Sequence, residues 1–598
     1  MAILIVASFE KGRGGGHLMR CCGIVRELRE LGREAWLFIA GNRGIEDARQ
    51  IAGNGLDALL IPEHKIFKQN WDFAVLDRFA TPAAELRRYQ ALCPVIGIDE
   101  GGKKRHEFDF LFDVLPGLRS RSEANYCSAA LLTLPKNQKP LAFPAFYLQN
   151  AKILVCFGAE NAKNLSFYTA NALKPLAAAQ ITVVSAGKKM PVLGNNAIIE
   201  SIIPNLREKL AGFDLVITHF GICAFESIAA GTPVALISPS QYHEKLALNA
   251  GFFSFGIKKR GVAALGCFCR AKNPNPNKII SASCAARQKI AAGGIGAENS
   301  ICGEKKFAAV LAALKPQVFK KCPVCGTDFI KHRTEKVIAR FAERSYRLCG
   351  YCRTISMNRA APPDISYSDA YFFEDYEKQY GKTYLEDFLH IKALGKTRLK
   401  HICSIASGKR LLDIGCAYGP FLAAAREAGY YVQGADASSS AVSYVKESLG
   451  INARYGFFPA VFEGEPPGSF DVITMWFVIE HLRETGTALR RIHELLAKDG
   501  VFAFSTPSSS GVSGCFLPRR FLEQSPADHW TIFNPRRIRR VLGRAGFKTR
   551  KIVSTGHHGE RLPLFGKFFA EGKGAKIWRG ISSFFLLGDT FEVYAQKR

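Results

Sequence analysis

The chain has 598 residues, more than one hydrophobic core can organise, and its 47% hydrophobic and 22% charged residues exclude a disordered or fibrous protein. Lysine and arginine number 81 against 52 aspartate and glutamate, and the resulting net charge of +29 favours an anionic partner: a nucleotide, a nucleic acid or an acidic membrane surface. The apolar start, residues 2–8, is short and has no basic region before it, so it reads as a buried strand, and no later stretch offers ~20 uninterrupted apolar residues. Among the 17 cysteines two Cys-x-x-Cys pairs stand out, which suggests free thiols plus one metal site in a reducing cytoplasm.

In residues 1–145, short apolar strands (3–7, 35–39, 73–76 and 95–98) alternate with helical stretches such as 18–31. The first strand runs into Gly12-Arg-Gly-Gly-Gly-His17, which opens a helix. Glycines before a helix N-terminus form an anion site suited to a diphosphate. Gly15 and Gly16 are the candidate contacts and His17 the candidate base. A proline- and lysine-marked stretch, 135–144, then predicts a hinge.

A second strand-and-helix series occupies 150–316, with strands at 153–157, 181–185, 215–218 and 234–237. There the run from Phe213 to Ser227 passes from a strand through Gly221 into a helix carrying Glu226. Two such series in tandem predict two Rossmann-like domains with parallel sheets.

Residues 320–355 hold Cys322, Cys325, Cys349 and Cys352, spaced C-x2-C-x23-C-x2-C. Four thiolates in two knuckles match tetrahedral zinc and leave no open catalytic position. Residues 356–398 form a connector rich in aromatic residues, including Tyr371, Tyr376, Tyr380 and Tyr384, that could cover a cofactor as a lid.

From about Leu399 a third α/β series closes the chain. Leu411-Leu-Asp-Ile-Gly-Cys-Ala-Tyr-Gly-Pro-Phe421 is a strand, a glycine turn and a helix start, and a second strand ends in Asp436. A carboxylate at the end of that strand suits a ribose diol. The segments FDVITMWFVIEHL (470–482) and LLAKDGVFAFSTP (495–507) supply further strands, and 545–553 with 589–595 predict a terminal antiparallel pair.

In order and spacing this region resembles the class I S-adenosylmethionine-dependent methyltransferases. The resemblance implies that Asp413, Gly415, Cys416, Ala417 and Gly419 line the methionine end of the cofactor, Asp436 and Ala437 the ribose, and Trp476 its neighbourhood. Ala417 stands where the family often has glycine. The third strand, 452–457, lacks the acid many relatives direct at adenine. His481, at the carboxyl end of the fourth strand, is the candidate base, ahead of His529 and Tyr380. A zinc ribbon before such a domain resembles the zinc-ribbon methyltransferases of glycan and natural-product pathways.

The Phe213–Ser227 run resembles the nucleotide-sugar half of GT-B glycosyltransferases, with Glu226 implied at the ribose and the turn at Gly221 near the diphosphate. The Gly-x-Gly-His-x-Met-Arg-Cys pattern, with Ile98-Asp-Glu100 and Arg105-His-Glu-Phe-Asp109, is similar to nucleotide-sugar hydrolases of the pseudaminic acid pathway and to spore-coat polysaccharide proteins. That similarity implies His17 as base for water or an acceptor hydroxyl. The run Pro239-Ser-Gln-Tyr-His-Glu244 departs from the family there.

The expectation is an α/β protein: two Rossmann-like domains in GT-B arrangement, a zinc ribbon, and a methyltransferase domain at 399–598. The expected function is methylation of a sugar or nucleotide sugar with S-adenosylmethionine, beside a nucleotide-sugar hydrolase or glycosyltransferase-like module. The competing reading is a zinc-ribbon RNA methyltransferase with a non-catalytic amino-terminal half. The ribbon's lack of a basic and aromatic platform weighs against nucleic acid, and peripheral contact with an anionic membrane suits the charge.

Overall fold

The computed structural model describes residues 2–10, 15–53, 55–115, 123–127, 135–141, 148–158, 164–185, 196–201, 203–272, 274–291, 307–332, 335–363, 374, 376–377 and 381–598. The chain divides into two compact units: Met1–Pro316 with Arg340–Arg344, and Gln317–Ala339 with Ser345–Arg598. Among the described residues, no helix is long and apolar enough to cross a membrane.

The first unit holds two six-stranded sheets. One comprises β1 (Ala2–Ser8), β2 (Ala35–Ala40), β3 (Trp71–Asp77), β4 (Val95–Ile98), β5 (Phe110–Asp113) and β6 (Tyr126–Cys127), in the order β2-β1-β3-β4-β5-β6 with parallel neighbours. Every residue of β1, AILIVAS, is buried, as a strand covered on both faces requires. The other comprises β7 (Lys152–Cys156), β8 (Gln180–Val184), β9 (Ala197–Glu200), β10 (Leu215–Thr218), β11 (Val234–Ser238) and β12 (Phe253–Ile257), in the order β12-β11-β10-β7-β8-β9, also parallel. Residues 135–141 of the expected hinge are fastened down: Lys136 N–H donates to Glu208 at 2.8 Å and Lys139 N–H to the Ala230 carbonyl at 2.9 Å. Residues 142–144 of that stretch lie outside the described residues.

Apart from residues 340–344, the first sheet of the second unit comprises β13 (Glu335–Phe341), β14 (Arg344–Cys349), β15 (Ile355–Arg359) and β21 (Thr531–Ile532), four strands in all. β21 comes from the far side of the third α/β series and pairs antiparallel with β15, Ile355 opposite Ile532. Gly486 N–H also donates to the Pro323 carbonyl at 2.7 Å. The cysteine-rich module is therefore built into this unit.

The unit's main sheet has seven strands: β16 (Arg410–Ile414), β17 (Tyr431–Asp436), β18 (Asn452–Tyr455), β19 (Phe470–Trp476), β20 (Leu496–Pro507), β22 (Phe547–Thr555) and β23 (Thr590–Lys597). Their order is β18-β17-β16-β19-β20-β23-β22, with β23 antiparallel to both neighbours and the five strands β16–β20 parallel. Leu411, Val472, Ala503 and Tyr594 bring four of these strands into one core.

Each parallel sheet reverses its strand order once: at β1/β3, at β7/β10 and at β16/β19. Loops leaving the carboxyl ends of such a strand pair diverge to opposite faces and open a crevice where ligands bind. His17 follows β1 and Asp77 ends β3; Gly221 follows β10; Gly415 follows β16 and Trp476 ends β19. The chemistry-bearing residues thus stand at the switch points.

Candidate functional site

The crevice of the second unit begins where β16 ends. Gly415 has φ 73° and its N–H donates to the Ala435 carbonyl at 2.7 Å, which folds the turn back onto β17. A Cβ on Gly415 would lie 2.3 Å from Val478 Cγ2, so only glycine fits. Gly419, at φ 79°, precedes the Pro420–Glu427 helix. Ala417 is also left-handed, at φ 47°, a conformation that disfavours a Cβ. Its N–H donates to Asp436 Oδ2 at 2.8 Å, and that charge-assisted bond offsets the strain. Asp436 Oδ1 accepts from Ser438 N–H at 2.8 Å, so the carboxylate fixes both glycine turn and second loop. Ala437 lies between those anchors. Cys416 is buried over β17, its sulfur where a Cβ on Gly434 would come within 2.7 Å.

Asp413 is buried and accepts the Thr474 hydroxyl at 2.6 Å. Burial pushes its carboxyl up to about 8, against the Thr474 bond and the Arg398 charge. Arg398 forms a buried ion pair with Glu592 at 2.7 Å and stacks 4.1 Å over Trp476. Phe421 meets Trp476 edge-on at 5.2 Å, so Trp476 is a wall between helix and strand. Of the aromatic connector, Tyr384 and Leu385 pack against Ala417, Tyr418 and Ala441, beside the glycine turn. Tyr371 and Tyr380 lie outside the described residues.

His481 ends a short 3-10 turn, Ile479–His481, that follows β19. Its Nδ1 meets Asp528 Oδ2 at 2.6 Å, and the His529 ring stands edge-on at 4.6 Å. Burial opposes an imidazolium there, but the Asp528 bond and the Glu480 and Asp528 charges outweigh it, holding His481 above its ordinary value. His529 is driven down to about 3 by burial and by His481, which makes it a weak proton acceptor. Glu480 is fully buried, and burial raises it to about 7. Asp528, Glu480, Arg398 and Glu592 escaped sequence reading. Except for Glu480, which adjoins His481, their roles depend on contacts between distant segments, although the acid directly before His529 offered a signal.

In the first unit, His17 is the second residue of the Gly16–Glu30 helix, and its Nδ1 meets the buried Asp77 at 2.6 Å. Arg20, one turn on, donates from Nε to Asp77 at 2.7 Å and from a terminal nitrogen to Asp99 at 2.6 Å. Burial works against the Asp77 charge, but Arg20 and His17 hold its carboxyl well below the usual range. Asp99 has φ 49°, a strained backbone of the kind found at functional turns. Glu100 and Asp109 act as staples: Glu100 accepts Thr81 Oγ1 at 2.6 Å, and Asp109 accepts Val95 N–H at 2.7 Å. Gly15 lies against Ile51, 2.9 Å from where its Cβ would be, while Gly16 is open, with Ile222 at 3.9 Å. Gly12–Gly14 lie outside the described residues.

Beside the second sheet of this unit, Gly221 is extended and caps the Ile222–Ala229 helix. Glu226 is held by Arg207 Nε at 2.7 Å, and burial raises its carboxyl despite that cation. In the run after Ser238, Ser240 caps the Gln241–Asn249 helix and its hydroxyl meets His243 Nδ1 at 2.8 Å. His219 lies 5.8 Å from the His243 ring. A concavity of about 690 Å³ opens nearby, lined by Tyr168, Glu244 and the basic run Lys258–Arg260.

One sulfur from each of Cys322, Cys325, Cys349 and Cys352 lies within 4.8 Å of the others, with Cys322–Cys352 at 3.6 Å and Cys325–Cys349 at 3.8 Å. Four thiolates bound tetrahedrally at ~2.3 Å stand ~3.8 Å apart, so this cluster could hold one metal ion.

A family described as "Methyltransferase domain" matches residues 388–552, starting with the Phe388–Cys403 helix that packs on the cofactor-side helix through Gly395 and Phe421. The ubiquinone biosynthesis O-methyltransferase of Aromatoleum aromaticum is 25% identical over 162 residues, 25% of this chain and 69% of that protein. The enzyme of the same name from Paraburkholderia phymatum is 29% identical over 178 residues, 28% of this chain and 77% of that one. A solved SAM-dependent methyltransferase from Archaeoglobus fulgidus aligns with 38% of this chain and all (100%) of its own, at 17% identity and TM-score 0.28. The second unit carries a class I S-adenosylmethionine-dependent methyltransferase domain. Its lining fits that cofactor: the buried Asp413 carboxyl suits an ammonium group, and the turn at Gly415 admits no side chain of its own.

Proposed function

We propose that the methyltransferase domain methylates a hydroxyl of a sugar or nucleotide sugar, and that the first unit binds a nucleotide sugar and cleaves or transfers it, in the synthesis of a surface glycan. The observation that carries this reading is a histidine–carboxylate pair at a switch point in each unit: His481–Asp528 and His17–Asp77. The cofactor supplies an electrophilic methyl group on a sulfonium. Asp413 would meet its ammonium, Gly415, Cys416, Ala417 and Gly419 would let it approach the backbone, and Asp436 with Ala437 would receive the ribose. Asp528 accepts a hydrogen bond from Nδ1–H of His481 and so orients the ring for Nε2 to take the proton of the acceptor hydroxyl. The relatives' names favour oxygen as the acceptor atom.

In the first unit, Arg20 pins Asp77, and Asp77 fixes the His17 ring with its other nitrogen free for the proton of water or an acceptor hydroxyl. That oxygen attacks the anomeric carbon and the nucleotide leaves as its diphosphate. The two sheets of this unit would adopt the GT-B arrangement, with Gly221 and Glu226 on the nucleotide side.

The deciding assay incubates the protein with labelled S-adenosylmethionine and a panel of nucleotide sugars, following methyl transfer and nucleotide release together. Label in a sugar is expected; label in RNA alone would overturn the reading. His17→Ala should abolish nucleotide release and leave methyl transfer intact, whereas full release would remove His17 from the mechanism.

The four-cysteine cluster is read as a structural zinc site. One equivalent of zinc per chain is expected by elemental mass spectrometry. Cys325→Ser or a strong chelator should remove it and lower the melting temperature on the order of 10 °C, because metal binding is folding free energy.

A further inference from the structure

Residues 556–589 connect β22 to β23. β23 runs antiparallel to β20 and to β22, so β22 ends at the same sheet edge as β20, the edge that carries Gly415 and Trp476. The connection therefore stands on the catalytic edge. It forms two helices, Gly566–Ala570 and Gly572–Phe585, that leave most of their large apolar residues exposed. Leu564 is 98% exposed, Phe584 82% and Phe568 64%. The longer helix buries only Gly574, Trp578 and Ser582. On its flank, exposed Lys573, Ile577 and Ile581 follow at four-residue steps, ending at Phe584 and Phe585. Between 564 and 585 stand four bases, Lys567, Lys573, Lys576 and Arg579, against one acid, Glu571.

The patch is held in place from below. Arg561 bonds Ser513 at 2.9 Å and Asp589 at 2.8 Å, and Arg536 donates to the Phe585 carbonyl at 3.1 Å. A fixed helix pair with outward aromatic and aliphatic groups at this density needs a covering phase. A protein partner fits poorly, because lysine is depleted at the core of such interfaces. A nucleic acid would use the lysines and stack on the aromatic rings but would leave Leu564, Ile577 and Ile581 in water. Apolar groups interleaved with lysines, with the charged heads free to reach outward, are the pattern of a helix lying in the headgroup region of an anionic bilayer.

We propose that residues 564–585 dock the methyltransferase unit on an anionic lipid bilayer, with the catalytic edge turned toward the membrane surface. The docking stands independently of the acceptor's identity. The test sediments the full chain with vesicles of phosphatidylcholine alone or with one quarter phosphatidylglycerol. Binding to the anionic vesicles is expected to be at least tenfold stronger and to fall with added salt. Leu564→Ser with Phe584→Ser, and separately Lys573→Glu with Lys576→Glu, should each reduce it at least tenfold while melting temperature and S-adenosylhomocysteine binding stay unchanged. Equal binding to both vesicles, or unchanged binding by both variants, would overturn the proposal. So would a dimer in sedimentation velocity that the Leu564→Ser, Phe584→Ser variant dissociates, since the patch would then be a contact between copies of the chain.

Discussion

Gly415→Ala is expected to abolish measurable S-adenosylhomocysteine binding in titration calorimetry, at least a hundredfold loss. Two costs coincide there. The φ of 73° costs a residue with a Cβ about 1–2 kcal/mol. The added atom would also sit 2.3 Å from Val478 Cγ2, and a packed wall resists such an intrusion by about 1–3 kcal/mol. Relief requires the turn to swing out of the crevice, so the lost quantity is cofactor affinity more than the fold. Val478→Ala in the same chain removes the clash and leaves the dihedral strain, and binding should return in part. No recovery in the double variant would mean that Val478 does not set the shape of the cradle.

His481→Ala should cut the methyl-transfer rate by about 10²–10⁴, the usual contribution of a positioned general base, with cofactor affinity preserved. The pH profile separates a base from a structural histidine. His481 must be neutral to take a proton, and the Asp528 bond with the Glu480 charge holds it above its ordinary value, so the rate should climb as pH rises through that raised value. Asp528→Asn weakens the hold on the charged form, and the climb should move to lower pH while the plateau drops because the ring is no longer oriented. A profile unchanged in shape and position in Asp528→Asn would take His481 out of the proton transfer.

Short-range patterns made much of the fold legible. The apolar runs of β1 and β7 are continuous because strands buried on both faces need no alternation, and β16 runs into the glycine turn at Gly415. The shorter edge strands were not legible. β6 has two residues, β9 is largely exposed, and β12 lies among residues whose pattern fits a loop as well as a strand. Edge strands bury one side at most, so their sequences carry little hydrophobic signal. The β15–β21 pairing was equally hidden, because residues 355 and 532 meet only through the tertiary fold.

The site divides in the same way. The glycine turn, Asp436 and the cysteine quartet can be read from the sequence because backbone conformation and knuckle spacing are local requirements. The partners that tune those residues come from far along the chain: Asp528 for His481, Asp77 for His17, Thr474 and Arg398 for Asp413. By itself the sequence determined the central strands, the glycine turns, and which cofactor class the last third suits. Only the tertiary structure decided which acids face which bases, and which apolar residues are left outside. Desolvation and ion pairing arise from groups brought together across the fold, and no local pattern encodes them.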